Sequence, residues 1–140
     1  MQQAILGILV MAALSGPAAA AESVLTIEAD GFASDHGHAV ARIYAAGDDV
    51  MGDPRWSLTA DIEGGRARFT QTFPLGHYAV VVYHDINDNG RLDHNFLGFP
   101  AEPLGFSGGF RLSLTSGLPS FSKLRFKLPA DGATLQIHVH

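Results

Sequence analysis

The sequence contains no cysteine, which excludes disulfide staples, thiol nucleophiles and thiolate zinc sites together. Beyond its first residues it has no apolar run approaching the roughly 20 residues needed to cross a bilayer core of about 30 Å. Positive charge is also scarce. Nine Lys and Arg stand against fourteen Asp and Glu, a formal net charge of −5, and no basic cluster offers the footprint that nucleic-acid phosphates demand. No nucleic-acid partner is expected. Hydrolase signatures are missing too: there is no Gly-x-Ser-x-Gly elbow, and Ser107 and Ser120 lie in Gly/Pro-rich segments with no base placed beside them.

The N-terminal segment reads as a secretory signal. An apolar stretch from Ala4 to Leu14 runs into the helix breakers Ser15, Gly16 and Pro17, followed by the small residues Ala18 to Ala21. No Lys or Arg precedes the stretch, so the terminal amine is its only leading positive charge. Cleavage after Ala20 or Ala21 is expected, and cleavage after Ala21 would leave residues 22–140 as a single β domain, within the usual domain size of about 100–150 residues. The expected location is periplasmic or secreted. After cleavage the chain is not expected to be an integral membrane protein, and its partner would be a protein or a small ligand of the cell envelope.

Downstream, apolar residues alternate with period two, the pattern of short half-buried strands. Strands are predicted over 24–32, 38–46, 56–62, 66–73, 77–84, 111–114, 123–128 and 134–139, with turn signals such as Glu63-Gly64-Gly65 and Pro129-Ala130-Asp131-Gly132 between them. The segment His77 to His84 is apolar on both faces, which marks a central strand or one covered by a loop. The predicted fold class is all-β: a seven- or eight-stranded antiparallel β-sandwich, transthyretin-like or Ig-like. The long Gly/Pro/aromatic loop from Asp85 to Phe121 carries Phe96, Leu97, Phe99, Leu104, Phe106 and Phe110, and is expected to fold back over one end of the sandwich.

That loop opens on an acidic motif. Asp85, Asn87, Asn89, Gly90 and Asp93 occupy the first, third, fifth, sixth and ninth positions of an EF-hand-like calcium loop, with the Arg91 backbone carbonyl at the seventh. As the chain curls, alternate oxygens converge on one point, Gly90 permits the sharp turn, and oxygen-only ligands suit Ca²⁺ rather than zinc or copper. Phe96 stands where such loops carry a bidentate Glu, leaving Glu102 or Asn95 to close the shell. The other reading of the same residues is an Asx-rich turn, in which Asn87 and Asn89 bond the local backbone and Gly90 takes the left-handed conformation. His84, directly before the motif, has two readings as well. It is a semi-buried histidine bonded to backbone and orienting the loop, or the base of a small hydrolase or isomerase with Asp85 or Asp93 as its carboxylate. The leading expectation is a non-enzymatic binding or scaffold domain, stabilised by its 85–93 loop with Ca²⁺ as the candidate cofactor.

These residues also carry a resemblance. The Gly-x-Tyr-Ala strand ending in His84-Asp85 is followed by Asn-x-Asn-Gly-x-Leu-Asp, Gly-x-Pro-x-Glu, Gly-Phe-Ser and Pro-Ser-Phe. Together they resemble the signature of a bacterial family, domain of unknown function 2141. The resemblance implies an exported β-sandwich, similar to transthyretin and carboxypeptidase-regulatory-like folds, with no established activity. Such folds host carriers, a hydrolase of purine breakdown and adhesive modules, so the fold alone selects no function. That hydrolase ends in Tyr-Arg-Gly-Ser, whereas this chain ends in Ile-His-Val-His.

Overall fold

The computed structural model describes residues 20–94 and 100–140. Apart from Ala20 and Ala21, the expected signal lies outside the described residues, as do Asn95, Phe96, Leu97 and Phe99. The described chain is all-β apart from one helical turn. Its elements are β1 (Glu22–Asp30), β2 (His38–Ala45), β3 (Trp56–Ala60), β4 (Ala67–Pro74), β5 (Gly76–Asp85), β6 (Leu104–Phe106), α1 (Phe121–Leu124), β7 (Phe126–Leu128) and β8 (Ala133–His138). No described helix is long and apolar enough to cross a membrane.

The strands form two sheets, one ordered β4-β1-β8 and the other β3-β2-β5-β6, with β7 also pairing β5. Alternation explains the register. Ile27 of β1 lies opposite Phe69 of β4, and Val40 of β2 opposite Tyr83 of β5, so apolar side chains stack on one face of each pair. The first sheet contributes Leu25, Ile27, Phe69 and Ile137 to a core shared with Ile43, Val80 and Val82 of the second. Trp56, Phe73 and Tyr78 pack against one another within it, with ring centroids 5.0–5.9 Å apart.

β5 is buried on both faces, as its composition requires. Its second face, Ala79 and Val81, packs with Tyr44 and Leu124 and is covered by Leu104, Phe106, Phe110 and Phe121. The long loop therefore lies over a face of the five-stranded sheet rather than over one end. The loop also contains the strand β6, whose residues pair with Val81 to Tyr83. Buried Ser107 prolongs this pairing: its Oγ accepts from the Val80 N–H (2.8 Å) and donates to the Leu124 carbonyl (2.7 Å), tying α1 to β5.

Three further expectations are corrected. Residues 111–114 are not a strand, because β6 and β7 already occupy that edge of β5. The predicted strand 123–128 is split. Phe121–Leu124 make one helical turn that seats Leu124 under β5, and the extended Arg125 (φ −59°, ψ 142°) then releases the chain into β7. Finally, the pairing is not wholly antiparallel. β8 arrives from the second sheet and runs parallel to β1, Ile27 opposite Leu135, a crossover that local patterning does not encode.

Candidate functional site

Period-two geometry sends successive side chains of β5 to opposite faces. His84 therefore points inward and Tyr83 and Asp85 outward. His84 is fully buried; its Nε2–H donates to the His36 carbonyl (2.6 Å) and its ring meets Phe32 edge-on at 5.4 Å. Its Nδ1 is buried without a hydrogen-bond partner among the described residues. The close passage of the His36 segment depends on Gly37 (φ 69°), where a Cβ would stand 2.0 Å from the Asp85 carbonyl oxygen. His84 is thus bonded to backbone, and no hydrogen bond links it to Asp85 or Asp93 among the described residues.

Asp85 ends the strand and organises the turn beyond it. Buried to 3 % exposure, its carboxylate accepts from the backbone N–H of Asn89 (3.2 Å) and of Gly90 (2.8 Å). Gly90 takes the left-handed conformation (φ 71°) that lets the chain curl back. The Asn87 and Asn89 side-chain oxygens accept from the N–H two residues on, Asn89 and Arg91 (3.3 and 2.9 Å), the Asx-turn pattern. Their amide nitrogens donate to Asp93: Asn87 to Oδ2 (2.9 Å), Asn89 to both oxygens (2.8 and 2.9 Å). These donors hold the Asp93 carboxyl below the usual carboxylate range. No described donor meets the Arg91 carbonyl. Asp88 faces outward, about half exposed, and at φ 54° accepts from His38 Nδ1 at 2.5 Å.

Glu102 comes from a separate segment. The Ala101 N–H donates to the Asp93 carbonyl (2.7 Å), and this bond brings the Glu102 side chain against Asp93. Only 8 % exposed, the Glu102 carboxyl is pushed up to about 7 by burial, with the charges of Asp93 and Asp85 adding to the rise. Its Oε2 is buried with no hydrogen-bond partner among the described residues. The structure therefore gathers Asp85, Asn87, Asn89, Asp93 and Glu102, and separates His84 from them.

Sequence reasoning missed what lies beside this loop. A cavity of about 740 Å³ opens over the outer face of β2, β5 and β6, walled by Gly90 to Leu92 on one side and by Val50 and Leu112 on others. Arg42, Ser57 and Tyr83 line its floor. Arg42 pairs with Ser57 across β2 and β3 and sits diagonally from Tyr83, so three hydrogen-bonding groups stand side by side on one face. One guanidinium nitrogen donates to the Gly52 carbonyl (2.9 Å), and the group lies 5.9 Å from the Tyr44 ring centre. Burial raises the Tyr83 hydroxyl above the ordinary tyrosine range. Alternation along β2 puts Arg42 on the face opposite the buried Ala41 and Ile43, but only the folded-back loop turns that face into a cavity.

The fold and this loop define an all-β protein that carries a carboxylate-rich turn on the rim of an outer-face cavity. The chain belongs to the family described as uncharacterized protein conserved in bacteria (DUF2141), whose model matches residues 27–136. No curated protein and no solved structure matches it.

Proposed function

We propose that the chain is an exported, non-enzymatic binding domain that takes a small amphipathic ligand bearing an anionic or acceptor head. One observation carries the reading: the outer-face cavity joins apolar walls, Val81, Leu104 and Phe106, to a floor of donors led by Arg42. Its volume of about 740 Å³ falls in the usual range of small-molecule sites, roughly 300–1,000 Å³. A guanidinium recognises a carboxylate, sulfonate or phosphate by charge-assisted hydrogen bonds, and the apolar walls accept the rest of the molecule. The periplasmic or secreted location belongs to the same proposal and rests on the signal-like N-terminal segment. We read the two sheets as a transthyretin-like sandwich, supported by the core they share. The hydrolase or isomerase reading lacks support, since a base must reach its proton and His84 is sealed in the core on the other side of β5 from Tyr83.

The test is equilibrium binding of 1-anilinonaphthalene-8-sulfonate, an apolar anion, followed by fluorescence. Saturable one-to-one binding is expected, weakened about tenfold or more in Arg42→Leu, the equivalent of one lost charge-assisted bond. Arg68→Leu, at an exposed position of β4 away from the cavity, should bind as the parent does. Absence of saturable binding, or equal binding by Arg42→Leu, would overturn the assignment.

A further inference from the structure

The acidic turn by itself is explained by its own hydrogen bonds; Glu102 is not. A carboxylate oxygen buried without any donor is among the least favourable arrangements in a protein interior, and Glu102 Oε2 is in that position. The carboxyl is more than nine-tenths buried, and it is directed at Asp93, itself an anion, with Asp85 close enough to act on it. Two carboxylates from separate chain segments, Glu102 and Asp93, thus meet, with Asp85 acting on them by its charge; among the described residues no Lys or Arg is bonded to any of the three, and the three do not already stand as a ready-made group of metal ligands. A cation would supply the partner that Glu102 Oε2 lacks, and Asn87 and Asn89, whose amide nitrogens now face Asp93, also carry side-chain oxygens.

We propose that Glu102, reaching in from the segment after Pro100, completes with Asp85, Asp93, Asn87, Asn89 and the Arg91 carbonyl an oxygen-only site for a calcium-sized divalent cation. Six oxygen-bearing groups meet the six to eight ligands that Ca²⁺ takes, and a Glu from a distant segment fills the place that the motif itself leaves to Phe96. The two N–H groups capped by Asp85 do not disqualify it, because a carboxylate has about four lone-pair sites and the caps use two. Asp93 would exchange its Asn87 and Asn89 donors for the cation. Binding would then clamp the 85–93 turn to the segment carrying Glu102. The site borders the outer-face cavity through Gly90 to Leu92 and Pro100, but it does not depend on what that cavity holds.

The experiment is thermal unfolding of the purified protein in a chelator, in 10 mM calcium chloride and in 10 mM magnesium chloride. With a Kd of about 10⁻⁴ M, calcium should raise the midpoint by about 10 °C. Magnesium, which demands a tighter octahedral shell, should raise it by less than about a third of that. Glu102→Gln keeps the shape and removes the charge. It should melt in chelator at or above the parent's midpoint, which shows that it folds, and lose most of the calcium increment; Asp93→Asn should lose it as well. Terbium luminescence sensitised by nearby Tyr83 should fall in parallel. No difference between chelator and calcium in the parent, or a full calcium increment in Glu102→Gln, overturns the proposal and leaves Glu102 and Asp93 as two carboxyls sharing a proton. Neither outcome touches the anion-binding assignment of the cavity, which is read by a different probe.

Discussion

The two faces of β5 are built from nearly the same residues and end as opposites. Inward, Tyr78, Val80, Val82 and His84 are closed into the interior, where His84 finds one backbone carbonyl for Nε2 and no described partner for Nδ1. Outward, Ala79, Val81, Tyr83 and Asp85 begin under aromatic cover at Phe106 and Phe110 and finish beside an open cavity and a cluster of carboxylates. One strand therefore closes a core on one side and lines a cavity on the other, and a one-residue slip would exchange the two.

The largest expected effect compares adjacent valines. Val82→Ala removes methyl groups from the closed core and should cost about 2–3 kcal/mol, whereas Val81→Ala, beside the cavity, should cost about 1 kcal/mol. Urea unfolding midpoints measure both. Equal losses would mean that the outer face is packed as tightly as the inner, and the cavity would lose its meaning.

A smaller effect separates the faces by pH. Glu102 is raised to about 7 from 4.5, so between those values the folded state holds a proton that the unfolded chain has lost. Stability must therefore fall as pH rises from about 4.5 through about 7, and level off above. In chelator, the parent should lose stability from pH 5 to pH 8 while Glu102→Gln loses less. A parent no steeper than the variant would show that the carboxyl is not held in its protonated form.

The smallest effect lies at the rim. His38 is raised above its usual value chiefly by its hydrogen bond to Asp88, and then by the charge of Asp88. Its contribution is present below 6.5 and lost as pH rises through the raised folded value. Amide exchange at Asn89 and Gly90, corrected for its intrinsic pH dependence, should quicken across that window and should not in His38→Gln. No quickening in the parent would show that the His38 contact leaves the turn unaffected.

Much of this was legible along the chain, and the illegible part has a common cause. The alternation in β1, β2, β4 and β5 marked both the strands and their inner faces, because side-chain parity is a local property. The Asp85 to Asp93 motif was visible as a curl of oxygens for the same reason: its members are close in sequence. The failures are non-local. Arg111 to Leu114 alternates as well as a strand does, yet finds no free edge. Phe121 to Leu124 coil because Leu124 must reach the outer face of β5, and β8 lies parallel to β1 because of a crossover.

The sequence by itself determined the all-β class, the two-faced central strand and the turn chemistry of Asp85, Asn87, Asn89 and Gly90. Each arises from backbone sterics and hydrogen bonding within a few residues. Tertiary structure decided that His84 and Asp85 face opposite ways into unlike surroundings, that Glu102 is buried against Asp93, and that Arg42 and Tyr83 floor a cavity. Those outcomes depend on which distant segment covers which face. Burial and the field of neighbouring charges are properties of the assembled chain, not of any stretch of it.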